Sequence, residues 1–271
     1  MLKQYAPRFS AFCAFLFPTS AVALEKPCSR PRSACIHFPS VYTWQLSGPE
    51  PAFCHARILV VNNLVPLSGY YLCNRLGRVY MDSLEETIGR NGLNALLNLT
   101  ENSPYIDTPP ADDLALGFDM AVVSNLNRAM ELIYGPRGAR GLALRGGRAM
   151  YDRVVDGFDL PTGFNELAFR LLPLQTRLKI GVPALARLFT QHSDQTHRAI
   201  DRATYFEYTV ERCAVCWGQE AKSPLCHLTV GLLQEAMSAF GRGQEFRVAQ
   251  VECRATGASA CVFRIEKEPI A

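Results

Sequence analysis

Residues 251–263 read V-E-C-R-A-T-G-A-S-A-C-V-F, and this stretch decides the fold. Phe246 to Arg254 and Cys261 to Ile265 read as two strands. Between them Ala255-Thr-Gly-Ala-Ser has the composition of a tight connection, with Gly257 free to take positive φ. The expectation is a β-hairpin that sets Cys253 beside Cys261.

Working outward, three further cysteines precede the hairpin. Cys213 and Cys216 form the C-A-V-C of residues 213–216, and Cys226 stands in P-L-C-H-L. Cys226 opens an apolar helical run, Leu225 to Phe240, with Leu228, Val230, Leu232, Leu233 and Met237. The start of that helix can approach the hairpin, so three thiols meet, and Cys213 or Cys216 can close a tetrahedron. Zinc is the natural occupant, because structural zinc takes four ligands and favours sulfur. Three other readings compete. Five cysteines paired as disulfides leave one thiol over. A redox C-x-x-C should follow a strand and open a helix, whereas Trp217, Gly218 and the polar stretch 219–224 come next here. Buried cysteines also pack simply as small hydrophobes.

The remaining chain reads as helices with one more strand. Tyr70 to Leu99 carries Leu72, Leu76, Val79, Tyr80, Leu84 and Ile88 at spacings of three and four, the mark of an amphipathic helix, broken near Gly89–Gly92. Phe118 to Tyr134 is a second helix, expected to stop at Gly135-Pro136. The arginines and glycines of residues 137–148 suggest an anion-binding loop. The plainer reading is that the glycines allow close helix packing and the arginines are solvated. Phe164 to Leu172 and Leu178 to Phe189 are also apolar and helical. Ala203 to Arg212 is a strand carrying Tyr205, Phe206, Tyr208 and Val210. His192 and His197 lie in a polar connection and are expected at the surface.

At 271 residues, with 48% hydrophobic and 20% charged residues, the chain can build an ordinary globular core. A net charge of +3 does not by itself imply nucleic acid. No window approaches the roughly 18 consecutive apolar residues of a membrane span. The first 57 residues hold scattered Pro, Ser and Cys without a period. Lys3, Arg8, the apolar run from Phe9 to Leu24 and Ala21-Val-Ala outline a signal peptide, interrupted by Pro18. The preferred reading is a disordered or mis-started extension over 1–57, dispensable for folding, followed by one domain over 58–271. A cytoplasmic location follows, since thiolate sites stay reduced most easily in the cytosol. Cys13, Cys28, Cys35 and Cys54 carry no functional assignment.

The segments E-R-C-A-V-C-W-G (211–218), C-H-L-T-V-G-L-L-Q-E-A (226–236) and V-E-C-R-A-T-G-A-S-A-C-V-F (251–263) resemble the 4-vinyl-reductase domain family. That family is related to sensor domains of aromatic-responsive bacterial regulators and to the ligand-binding fold of a eukaryotic vesicle-tethering family. The resemblance covers about the last third of the chain and implies an α+β fold. It further implies a small antiparallel sheet packed against several helices, a C-terminal hairpin carrying metal-site cysteines, a zinc near a hydrophobic pocket, and often a homodimer. Carried over residue by residue, Cys226, Cys253 and Cys261 are metal ligands. The fourth ligand of the sensor relatives is an acidic residue at the position of Gln250, a poor zinc ligand. Cys213 or Cys216 is expected to replace it. Glu252 should face away from Cys253, and His227 should pack rather than ligate.

Two function classes follow. One is a zinc-containing binding module for a small hydrophobic molecule or a tetrapyrrole, serving as a carrier or accessory factor in bacteriochlorophyll synthesis or as a signalling sensor. Its pocket is expected near Tyr205, Phe206, Tyr208 and Trp217. The other is a 4-vinyl reductase acting on divinyl chlorophyllide. The chain shows no dinucleotide fingerprint and no flavin signature, and an all-thiolate zinc is closed and structural, so binding is favoured and no residue is assigned as catalytic. Neither a nucleic-acid partner nor a membrane span is expected.

Overall fold

The computed structural model describes residues 64–158, 169 and 171–270, with the backbone of 22–23 and 58–59. β1 (Val22–Ala23) and β2 (Ile58–Leu59) pair antiparallel. Expectations for the rest of the N-terminal extension, for the signal-like outline and for most of the helix Phe164 to Leu172 lie outside the described residues.

β3 (Tyr71–Cys73) pairs antiparallel with β4 (Leu116–Asp119), setting Leu72 opposite Phe118. α1 (Asn74–Leu99) follows β3, and the short α2 (Pro104–Asp107) follows α1. The sequence placed Tyr71–Cys73 inside the first helix. Tertiary hydrogen bonds take them instead: Cys73 donates its N–H to the His192 carbonyl at 2.8 Å, and Tyr71 accepts from the Asp194 N–H at 2.8 Å. α1 bends where expected, at Gly89, whose φ is 76°.

α3 (Met120–Gly157) begins two residues later than its period suggests, because Leu116–Asp119 is a strand. Asp119 is its N-cap and accepts from the Ala121 N–H at 2.7 Å. The expected stop at Gly135-Pro136 is only a kink. Gly135 takes φ 71°, and Pro136 opens a second helical half, where its missing N–H is no loss. Arg137 to Arg148 therefore lie on a helix and not in an anion-binding loop. Gly146 and Gly147 are buried in that half, which agrees with the packing reading.

α4 (Leu174–Gln191) leads into β5 (Thr196–Asp201), where a polar connection was expected. β6 (Tyr205–Glu211), α5 (His227–Phe240), β7 (Phe246–Glu252) and β8 (Cys261–Pro269) complete the chain. The antiparallel sheet has the order β5-β6-β8-β7. The β7–β8 hairpin forms as the sequence indicated, and Gly257 sits at φ 97°. Alternation buries one face of each inner strand: Phe206, Tyr208 and Val210 on β6, and Cys261, Phe263 and Ile265 on β8. These join the apolar faces of α1, α3, α4 and α5 in one core. The result is the α+β arrangement expected, a small antiparallel sheet against helices. Among the described residues no helix is long and apolar enough to cross a membrane.

Candidate functional site

Five buried thiols converge at one end of the sheet. Cys213 follows β6, Cys216 ends a 3-10 turn (Ala214–Cys216), Cys226 precedes α5, Cys253 follows β7 and Cys261 opens β8. Each is 2% exposed or less, and none is in a disulfide. Their sulfurs stand 3.6 Å apart for Cys213 and Cys226, 3.4 Å for Cys216 and Cys261, and 3.7 Å for Cys226 and Cys261. The Sγ atoms of Cys213, Cys216, Cys226 and Cys261 all lie within 4.8 Å of one another.

These separations suit a single ion. Four sulfurs about 2.3 Å from one metal at tetrahedral angles are about 3.8 Å apart. The residues present therefore fit a four-thiolate metal. The grouping differs from the sequence expectation, in which Cys253 was a ligand and only one of Cys213 and Cys216 took part. Both belong to the tightest four, and Cys253 is a fifth thiol, 3.9 Å from Cys226.

The backbone is arranged around the sulfurs. The Arg254 N–H donates to Cys261 Sγ at 3.4 Å. Hydrogen bonds from Cys213, Cys216 and Cys226 hold the Cys261 thiol far below its ordinary pKa, whereas hydrogen bonding to Cys213 and Cys216 pushes Cys226 up. Metal ligation needs such anionic sulfur. Gln250, the position that resembles an acidic ligand in the sensor relatives, accepts from the Cys226 N–H through Oε1 at 3.0 Å. It also donates through Nε2 to the Glu252 carbonyl at 3.1 Å. It thus holds the helix start in place from outside the thiol cluster. Glu252 is exposed, on the face opposite Cys253, and His227 is the first residue of α5.

Beside the thiols lies a cavity of about 60 Å³ between the helices and the sheet. Its apolar wall comes from Leu76 of α1, Val123 and Met150 of α3, and Leu228 and Leu232 of α5. Ala214 and Val215, between Cys213 and Cys216, close one side. Tyr208 and Val210 of β6 form the floor with His197 and Gln195. Gln195 fixes the thiol-bearing turn, its Oε1 accepting from the Ala214 N–H at 2.8 Å.

Of the four aromatic residues singled out in the sequence, Tyr208 lines this cavity. Phe206 is fully buried on the same strand face, with the Lys267 ammonium 4.8 Å from its ring centroid. Tyr205 lies on the opposite face under the Arg264 guanidinium, 4.2 Å away. Trp217 is half-buried and edge-on to Tyr70, with centroids 5.2 Å apart.

His197 was expected at the surface and instead enters the interior. It lies opposite Val210 in the β5–β6 ladder, so its side chain shares the inner face. Its ring stacks on Phe189 with centroids 5.2 Å apart, and Nδ1 is 3.0 Å from the Tyr208 hydroxyl. The other nitrogen, Nε2, is sealed from solvent and has no hydrogen-bond partner, a condition that costs about 1–3 kcal/mol. His192 is also drawn inward, its ring 4.9 Å from that of Phe158, and burial lowers its pKa. The weak alternation of T-H-R-A-I-D (196–201) is the one local signal that would have found β5.

Burial lowers the His197 pKa to about 3, against roughly 6.5 in the unfolded chain. Between these values the unfolded state holds the extra proton, so stability falls as pH drops from about 6.5 toward 3. At pH 5 the loss from this one group is about 2 kcal/mol. Urea unfolding at pH 7 and pH 5 should show it in the wild type and not in His197→Phe. Equal losses in the two proteins would refute the buried neutral imidazole.

No curated protein matches in sequence. Among solved structures, an H-NOX protein from Shewanella oneidensis in the Fe(II)NO ligation state is 14% identical with a TM-score of 0.43, covering 72% of this chain and 98% of that one. The phenol-responsive sensory domain of the transcription activator PoxR, with phenol, is 19% identical with a TM-score of 0.41, covering 56% of this chain and 79% of that one. A vinyl-4-reductase family protein from Methanocaldococcus jannaschii is 17% identical with a TM-score of 0.28, covering 54% and 90%. The family model of the vinyl-4-reductase domain matches residues 206–267. The segment from β6 through the thiol cluster and α5 to the β7–β8 hairpin, residues 206–267, is a vinyl-4-reductase domain.

Proposed function

We propose that the chain is a binding module for a small hydrophobic molecule, built around one structural zinc. The observation that carries this reading is a shared wall. Ala214 and Val215 sit between two candidate metal ligands, and Leu228 and Leu232 lie on the helix that Cys226 precedes, and all four line the cavity. An ion at the thiols would therefore shape the ligand space without entering it. Zinc suits the all-sulfur donor set and the sulfur separations, and in a closed four-thiolate site it supplies folding free energy. The six described cysteines are all free, which supports a reducing, cytoplasmic setting. Homodimer formation rests on the family resemblance alone.

Size separates the candidate ligands. A cavity of about 60 Å³ is smaller than the roughly 150 Å³ that takes a benzene ring. A single ring needs modest movement of the wall, for which Met150 is suited by its flexible chain. A tetrapyrrole needs the helices to part. This favours a small ligand over a role as pigment carrier in bacteriochlorophyll synthesis, and over the second reading, a 4-vinyl reductase acting on divinyl chlorophyllide.

Native mass spectrometry with metal analysis, on protein from its own host, tests the reading. One zinc per chain and a retained small molecule are expected. Incubation with divinyl chlorophyllide and a nicotinamide donor should give no turnover. Turnover by the isolated chain would replace the binding reading with the enzymatic one.

A further inference from the structure

We propose that His197, held by Tyr208, is the specificity-determining residue of the cavity, and that it selects a small neutral alcohol over a hydrocarbon of the same size. This deepens the binding-module reading and rests on it. The cavity wall is apolar apart from a few groups, and most of these already have partners. Gln195 Oε1 is engaged by Ala214, and the Tyr80 hydroxyl leans on the Val123 carbonyl at 3.5 Å. None of the lining residues is an Asp, Glu, Lys or Arg, so an ionised ligand would meet no counter-charge and lose its hydration. His197 Nε2 is left as a sealed polar atom without a partner at the cavity floor.

The hydrogen bond to Tyr208 sets what Nε2 can offer. If the Tyr208 hydroxyl donates to Nδ1, the proton resides on Nε2, which then donates to a ligand oxygen. If Nδ1–H donates to Tyr208, Nε2 is a bare acceptor and takes a ligand O–H. A hydroxyl is donor and acceptor at once, so it satisfies either tautomer, whereas a carbonyl satisfies one and a methyl neither. Leaving a buried polar group unpaired discriminates strongly against the analogue that lacks the matching group. The stacking of Phe189 on one side and the edge of Tyr208 on the other hold the imidazole in plane, so the atom that makes the contact is fixed before the ligand arrives.

Phenol and toluene are a matched pair, one hydroxyl against one methyl. Calorimetric titration of the full metal-loaded chain should give phenol a dissociation constant at least tenfold below that of toluene. In protein labelled with 15N-histidine, the His197 Nε2 resonance should shift with phenol and stay in place with toluene. His197→Phe keeps the ring and removes both nitrogens. It should bring the phenol-to-toluene ratio below threefold while toluene still binds, with metal content and melting temperature confirming the fold. The wild-type comparison and the resonance need no variant. Equal binding of the two probes with an unmoved Nε2 resonance would overturn the anchor and leave the binding module standing. Failure of both probes to bind would overturn the module and the anchor together.

Discussion

Replacing Cys226 by alanine is expected to strip the metal from the chain and to lower its stability by about 5 kcal/mol or more, a large part of the total for a domain of this kind. Cys226 is central to the cluster, within 3.6–3.9 Å of the sulfurs of Cys213, Cys253 and Cys261. It is also the residue before α5, the helix most tightly packed on α3, so losing the ion there releases the helix start as well as the hairpin. Metal per chain by mass spectrometry and unfolding by denaturant measure the two effects together. The same substitution at Cys253 separates the family pattern from the observed geometry. If the ion sits among Cys213, Cys216, Cys226 and Cys261, Cys253→Ala keeps one metal per chain and costs only the loss of a small buried side chain. If Cys253→Ala loses the metal and Cys213→Ala or Cys216→Ala keeps it, Cys253 is a ligand. A Cys226→Ala protein that lacks metal and melts with the wild type would show that the thiols merely pack.

The second large effect belongs to the crossing of α3 and α5. A Cβ on Gly147 would overlap the Leu228 carbonyl oxygen, and one on Gly231 would overlap the Leu144 carbonyl oxygen. Both obstacles are backbone, so no rotamer change relieves them and the helices must move apart. Gly147→Ala and Gly231→Ala should each cost about 3 kcal/mol or more, the upper end for overpacking, although alanine is the better helix former by about 1 kcal/mol. Gly141, in the same helical half, has open space around its Cβ position. Gly141→Ala should therefore stabilise the chain by up to about 1 kcal/mol. Opposite signs at Gly141 and Gly147 in thermal or urea unfolding are the expected result. A Gly147→Ala protein as stable as the wild type would mean that this crossing is not a close one. Because Leu228 and Leu232 of the same crossing line the cavity, the cost at Gly147 should be joined by weaker binding of either small probe.

The sequence alone determined what is set locally. The β7–β8 hairpin was legible because one connection, with a glycine at positive φ, fixes the pairing of the strands on either side. The helical runs of α4 and α5 were legible from their apolar period. The meeting of the thiols followed from these elements, since Cys226, Cys253 and Cys261 lie at the ends of segments whose type was clear. Tertiary structure decided the rest. Tyr71–Cys73 became a strand because β4 and the residues around His192 supply its hydrogen bonds from afar. Gly135-Pro136 became a kink because the second half of α3 finds a partner helix in α5, and that packing outweighs the local stop. Which four thiols stand closest depends on how β6 meets β8, through the pairing of Val210 with Cys261. His197 was illegible because its neighbours in sequence are polar and its burial is conferred by Phe189 and Tyr208. A period records burial only where the chain buries itself by its own regular geometry, and a side chain covered by distant segments leaves no such record.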